Sequence, residues 1–420
     1  MATAGRPSAS WLAWWASASR CSVTDATRAD RIERDCVLFS TADWDEPYWT
    51  NKQHTARALA RRGWRVLYVE SPGLRAPRLA SGKDWKRIAR RLWSGLRSNF
   101  LTPPRRDANV WVLSPLMIPA GHHWPAVRRL NQWLLRHGIV RFARRHRFSD
   151  PVIWTYHPFM LDAIQALPHG PVVYHCVDDL AAIPGVDVDG FNAAQQQLLT
   201  TCDAVFTTAQ SLREKCEPHN ANTHFFANVV DTAHFGRSLD AAAPVPGEIA
   251  AIAGPRLVYH GVLSDFKVDF ALIFEAARQR PGWNWFFIGE EREGQRSEWV
   301  ARLKALPNVH FLGYRRYEEL PDYLRGMHVG LLPTLLNDYT RSMFPMKFFE
   351  YLAAGLPVVS TPLDFTSGRF EGLEVGATPE AFVASIERQL RRGRLSQSEA
   401  LACVGDNTWD ARVERMLAAV

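Results

Sequence analysis

One lysine and one glutamate stand three residues apart in an otherwise apolar stretch, "PMKFFEYLAAGLPVVST" from Pro345 to Thr361. Proline suits the first position of a helix, where its missing N–H would be unpaired anyway. Gly355 followed by Pro357 reads as a helix stop, and "PVVST" as a buried strand. Lys347 and Glu350 on such a helix could form a surface pair worth a few tenths of a kcal/mol. They could also serve a ligand. Free N–H groups at a helix tip attract an anion, and a carboxylate one turn further in can accept both hydroxyls of a ribose. Together these would hold a nucleoside diphosphate. Two further strand ends carry polar residues of interest, His157 and the pair Asp178–Asp179. Asp43, Trp44 and His54 lie in or just after the loop behind the first strand, where an acceptor or a phosphate could be met. For the aspartates a helix cap is the competing role. A histidine early in a helix is otherwise expected in solvent.

These residues need a frame. Short β-branched or aromatic runs, each followed by a turn and a helical pattern, recur along the chain: "CVLFS" at Cys36, "RVLYVE" at Arg65, "VWVLSP" at Val110, "VIWTYHP" at Val152, "VVYHCVDD" at Val172, "AVFTTA" at Ala204 and "THFFANVVD" at Thr223. A second series starts at "RLVYHG" (Arg256) and runs through "WFFIGE", "VHFLG" and "VGLLP" to "PVVST". Buried parallel strands with crossover helices give this signature. The expected fold is therefore α/β, with two doubly wound Rossmann-like sheets facing a central cleft. The expected layout is a disordered tail over 1–30, an N-terminal Rossmann-like domain over 31–235, a linker over 236–254 rich in small residues and proline, a C-terminal Rossmann-like domain over 255–406, and a terminal amphipathic helix over 407–420 that packs back on the N-terminal domain. In open parallel sheets, ligands bind outside the carboxyl ends of the strands. All the residues singled out above fall at or near such ends.

Composition narrows the class. With 47% hydrophobic and 22% charged residues the chain reads as a soluble globular protein, and no apolar run reaches the roughly 18 residues of a membrane span. The start, "MATAGRPSASWLAWWASASR", lacks a basic region before a long apolar one and does not read as a secretory signal. Six scattered cysteines fit neither a zinc site nor a disulfide framework. The net charge of +7 is concentrated. Lys83–Arg147 holds fifteen Lys/Arg against two acids, so the remainder of the chain is acidic. Tryptophans and leucines at helical spacing among those arginines suit an anionic membrane surface. A solvated arginine face over ordinary core is the alternative. Nucleic acid ranks behind both, since no nucleic-acid motif accompanies the charge.

"PMKFFEYLAAGLPVVST" resembles the donor-site helix of retaining GT-B glycosyltransferases of the family-four type. "RLVYHGVLSDFKVDFALIFEAARQRPGWNWFFIGE" and "LPNVHFLGYRRYEELPDYLRGMHVGLLP" resemble that family's preceding units in the right order. "STADWDEPYWTNKQHTARALARRGWRVLYVE" is similar to members that build bacterial surface polysaccharides such as teichuronic acid. The resemblance implies a hexosyltransferase-type glycosyltransferase. It would move sugar from a nucleotide-sugar to a glycan or lipid-linked acceptor, with retention, without a metal or other cofactor, in the cytoplasm or at the inner face of the plasma membrane. A GT-B type nucleotide-sugar epimerase and a non-catalytic binding protein are the rival readings.

Carried over by resemblance, Glu350 holds the donor ribose and Lys267, in the loop after Gly261, neutralises the phosphates. Backbone groups of Phe344, Pro345 and Met346 approach the pyrophosphate or sugar, and Tyr314 or Arg315 lies near the base. Arg341 is an added candidate for phosphate, because a guanidinium grips phosphate well. Asp178 is placed at the reaction centre. Trp44, His54 and His157 are assigned to the acceptor side. Two departures stand out. Many members carry a second glutamate eight positions before the ribose glutamate, where this chain has Ser342, and an arginine after the loop glycine, where it has Val262.

Overall fold

The computed structural model describes residues 34–71, 95, 97, 102–116, 118, 124–291 and 296–420. The tail over 1–30 and most of the first half of the basic segment, including all of "KDWKRIARRLWSGLRSNF" but Gly95 and Arg97, lie outside the described residues. Two sheets carry the fold. The N-terminal sheet contains β1 (Asp35–Phe39), β2 (Arg65–Val69), β3 (Arg105–Asp107), β4 (Val110–Leu113), β5 (Val152–Thr155), β6 (Val172–Cys176), β7 (Ala204–Thr207) and β8 (Thr223–Phe225). Its order is β3-β4-β2-β1-β5-β6-β7-β8. All neighbours are parallel except β3, an antiparallel edge on β4. The C-terminal sheet contains β9 (Arg256–His260), β10 (Asn284–Ile288), β11 (Val309–Gly313), β12 (Val329–Leu332), β13 (Val358–Ser360) and β14 (Leu373–Val375). It is ordered β11-β10-β9-β12-β13-β14 and is parallel throughout.

Strand order reverses between β1 and β5 in the first sheet and between β9 and β12 in the second. At such points the loops leaving neighbouring strands part and open a crevice for a ligand. The strands are buried on both faces, as their near-continuous apolar runs require. β3 and β14 were not legible as strands. β3 reads "RRD" and β14 "LEV", with charges where an apolar run would mark a strand; β3 is held by its pairing to β4 and by ion pairs of Asp107 with Arg57 and Arg106 with Asp45.

The chain between the sheets, over 236–254, forms a short 3-10 turn at Arg237–Leu239 and one helical turn at Gly247–Ala250. The terminal helix Trp409–Leu417 packs on the helix Asn51–Arg61. Its Trp409, Val413 and Met416 sit in the core beneath the N-terminal sheet. Arg412 goes with them, only 1% exposed. It donates to the Asn51 Oδ1 at 2.6 Å, the His175 Nε2 at 3.1 Å and the Phe226 carbonyl at 3.0 Å. Asn51 in turn donates to Asn228 at 2.9 Å, and Asn228 donates to the carbonyl of Phe344. One buried polar chain thus ties the terminal helix and the N-terminal sheet to the segment that leads into the Lys347–Ala353 helix.

Candidate functional site

The Lys347–Ala353 helix begins two residues later than a proline-first reading predicts, with Pro345 just ahead of it and Met346 as its cap. It has seven residues. That is too short for a helix tip to be a site in its own right, so attraction for an anion here falls to the side-chain charges. Gly355, at φ +77°, ends it in the left-handed conformation that glycine adopts without strain. Behind it "PVVST" enters β13 as expected.

Glu350 is 8% exposed and lies over the carboxyl end of β9. Burial pushes its carboxyl up to about 7, with the Lys347 charge opposing the shift. The His260 Nε2 stands 3.3 Å from a Glu350 oxygen but makes no aligned hydrogen bond to it. Burial, reinforced by Lys347, holds this imidazole neutral, well below its ordinary value. The contact is therefore not a charged ion pair, and the carboxylate's acceptor capacity is left for something else.

Lys347 proves to be no surface partner. It is half-buried, and a Cβ at Gly261 would lie 2.5 Å from its Cε and 2.9 Å from its Nζ. Gly261, at φ +125°, is therefore the one residue that lets the amine rest against the backbone leaving β9. Among the described residues Lys347 makes no hydrogen bond or ion pair, and its Nζ sits 5.5 Å from the Tyr259 ring centroid. Burial lowers its pKa; Glu350 opposes this and Lys267 adds to it.

Lys267 donates to the Tyr339 hydroxyl at 3.1 Å. Burial holds that hydroxyl well above its ordinary pKa, and the adjacent Asp178 carboxylate raises it further. Asp178 comes from the loop after β6 of the other sheet, where residues 180–182 pack against the turn Asp338–Arg341. The two halves therefore meet along Asp178, Tyr339 and Lys267. Its neighbour Asp179 is engaged elsewhere, in an ion pair with Lys215 at 3.0 Å. Neither aspartate side chain caps the short 3-10 turn that follows.

The remaining predicted residues divide. The amides of Phe344 and Met346 donate to no acceptor among the described residues, and so remain able to meet a phosphate or sugar oxygen. The Phe344 carbonyl is committed to Asn228, while its ring stacks on Phe349 at 5.7 Å. Pro345 is buried, and Met346 packs against the N-terminal core. Ser342 is half-buried and Arg341 is exposed with no side-chain partner. Tyr314 reaches across to the first half, its hydroxyl donating to the Pro47 carbonyl at 3.3 Å and its ring edge-on to Tyr48. Arg315 turns instead to the connecting segment, in an ion pair with Glu248 at 2.9 Å, and is not free for a base.

On the acceptor side, His157 ends β5 with both ring nitrogens buried and unpartnered, and burial pushes its pKa down to about 4. Trp44 and His54 do not face an opening. Trp44 is core, edge-on to Trp49 and Tyr68. His54 is buried rather than solvated, stacked on Trp409 at 4.8 Å and held neutral with a pKa of about 3 by burial and then by Arg57 and its neighbours. Helical spacing could not show this, because what covers His54 is the far end of the chain. Sequence reasoning also missed Lys52, in the first turn of the Asn51–Arg61 helix, which burial strips of basicity although Asp178 counters the effect. Among the described residues no group of three His, Cys, Asp or Glu could hold a metal ion.

The chain is similar to several known proteins. Residues 254–392 match the family described as Glycosyl transferases group 1. Over 129 residues the chain is 36% identical to the putative teichuronic acid biosynthesis glycosyltransferase TuaH of Bacillus subtilis (strain 168), covering 30% of this chain and 32% of that protein. The match thus spans about a third of that relative's length. In three dimensions the chain is similar to sucrose-phosphate synthase from Thermosynechococcus elongatus, with a TM-score of 0.63 at 14% identity over 92% of this chain and 98% of the other. It is also similar to Anabaena Alr3699/HepE in complex with UDP and glucose, with a TM-score of 0.61 at 14% identity over 92% and 100% of the two chains. The fold is GT-B.

Proposed function

We propose that this chain transfers a sugar from a nucleotide-sugar donor to a glycan or lipid-linked acceptor of the cell surface. The observation that carries the reading is Glu350, a buried carboxylate with unspent acceptor capacity, set beside two amines at the switch point of the C-terminal sheet. Lys267 and Lys347 face the donor diphosphate, and the amides of Phe344 and Met346 reach its oxygens. Glu350 accepts from the ribose diol. The group 1 match over this half supports the assignment, as does the HepE complex, which holds UDP and glucose in the same fold. TuaH's role in teichuronic acid synthesis motivates the surface glycan.

The chemistry follows from charge. The C1–O bond of the donor breaks, both its electrons leave with the diphosphate, and the amines stabilise that developing charge. The acceptor oxygen bonds to C1 on the face the diphosphate vacates, its proton passing to a departing phosphate oxygen, so configuration is retained. Asp178 stands near the sugar as it acquires positive charge. Ser342 gives a neutral hydroxyl where a carboxylate would repel or grip the sugar, which favours a second reading, a binder without turnover.

The helix Pro125–His146 exposes Arg129, Trp133 and Arg136 at i, i+4 and i+7, with Leu130 and Arg144 also in solvent. An apolar ring among guanidinium groups suits an anionic leaflet, where a lipid-linked acceptor would be met. No helix among the described residues is long and apolar enough to cross a membrane.

Thermal-shift screening against UDP-, GDP- and dTDP-sugars tests the donor site. Stabilisation by one nucleotide series is expected, and none by any of the three would overturn the reading. Binding without sugar transfer to any acceptor lipid would favour the binder.

A further inference from the structure

Lys52 is a buried lysine with no role in the fold. It is 8% exposed, yet among the described residues makes no hydrogen bond and no ion pair, and its amine lies 5.5 Å from the Tyr156 ring centroid. Lysines are almost never this buried without a partner, because desolvating an ammonium costs more than the stem's packing returns. Its Nζ is nonetheless not sealed in, since it is absent from the fully occluded polar atoms. A methionine would fill the same space without the charge, so the charge itself calls for a ligand.

Its position says which one. Lys52 opens the eleven-residue helix Asn51–Arg61 that follows β1, and Tyr156 directly follows β5. The amine therefore stands at the β1/β5 switch point, where the N-terminal sheet opens its crevice. The charges it feels are those of Asp178 from its own half and Lys267 from the other. Lys347 feels Lys267 in turn. Three amines thus converge from two sheets, with Asp178 among them. An anion held between the halves would meet amines from both of them.

We infer that Lys52 is a third amine for the donor diphosphate, contributed by the N-terminal half, so that the departing phosphate is gripped from both sheets. The inference rests on the donor reading above and is tested separately from it. Lys52→Met, Lys52→Arg and Lys347→Met are compared in the full chain by calorimetry with UDP, GDP and dTDP and with the corresponding nucleosides. For the diphosphate that binds wild type, Lys52→Met is expected to weaken binding at least tenfold, with the nucleoside unchanged and Lys52→Arg restoring most of the loss. Its thermal unfolding temperature is expected to hold or rise, which shows that the variant folds.

If wild type binds none of the three diphosphates, the donor reading falls and this inference with it. If Lys347→Met loses the diphosphate while Lys52→Met binds it as wild type does, the donor reading stands and the inference is overturned. An equal loss for nucleoside and diphosphate would likewise overturn it, by showing that Lys52 supports the site only through packing.

Discussion

Glu350→Gln should make the protein more stable and less able to bind its donor, and pH should separate the two effects. In the folded chain the carboxyl sits near 7 against an ordinary 4.5. A raised carboxyl pKa means that folding favours the protonated form. Its contribution to stability is full below pH 4.5 and is lost as pH rises through 7. Above pH 7 the folded protein holds an ionised carboxylate at a cost of about 3 kcal/mol, from 1.36 kcal/mol for each unit of a shift of about 2.5. The neutral amide of glutamine carries no such cost. At roughly 2 cal/mol/K of unfolding entropy per residue, a chain of 420 residues turns that energy into about 4 °C of unfolding temperature.

The assay is thermal unfolding of wild type and Glu350→Gln between pH 4.5 and 8.5, without nucleotide. The variant's advantage should be small at pH 4.5, grow through pH 6–7 and level off above. A difference that does not change with pH, or a variant less stable at pH 8, would refute the electrostatic account of this site. Donor affinity supplies the second arm. An ionised Glu350 accepts from the ribose diol more strongly than an amide does, so the substitution should cost about 3 kcal/mol of binding, on the order of a hundredfold in Kd. Wild-type affinity should itself rise with pH through about 7 as Glu350 ionises. Affinity unchanged in Glu350→Gln would leave the carboxylate buried for no purpose the donor reading supplies.

Three other outcomes follow from the packing. Gly261→Ala should lower donor affinity about tenfold or more by calorimetry, since the new methyl would occupy the resting place of the Lys347 amine at a φ that alanine resists; affinity within twofold of wild type would separate Lys347 from the donor. Arg412→Leu should lower denaturant stability by about 3 kcal/mol, because it leaves Asn51 and His175 buried without their partner; a loss below 1 kcal/mol would mean the buried chain holds nothing in place. Reversing Arg129, Arg136 and Arg144 to glutamate should abolish co-sedimentation with anionic vesicles while leaving nucleotide binding intact, and unchanged sedimentation would remove the membrane from the mechanism.

The parts legible in the sequence are those whose signal is local. Strand and helix alternation, the Gly355 stop and the Lys347–Glu350 spacing all depend on residues within a turn or two of each other, and the two sheets follow from them. β3 and β14 were lost because "RRD" and "LEV" carry charges and lack the apolar run that marks the equally short β13. The site fared differently. Lys347 reads as a surface charge on any helical wheel, and becomes a ligand candidate only when Gly261, 86 positions earlier, is folded against it. His54 reads as solvated until the terminal helix lays Trp409 on its ring. Lys52 looks like one more lysine among fifty Lys and Arg in the chain. What marks it is a buried charge that, among the described residues, has no hydrogen bond or ion pair and only the Tyr156 ring nearby, and that exists only in three dimensions. The same logic bears on Ser342. A missing glutamate in the sequence looks like a weakened site. In the structure the charge of the candidate site is set by residues from both halves, with Asp178 carried across to Tyr339 and Lys52 within the field of Lys267. The glutamate missing at Ser342 therefore does not leave the candidate site without a carboxylate, because Asp178 lies beside Tyr339.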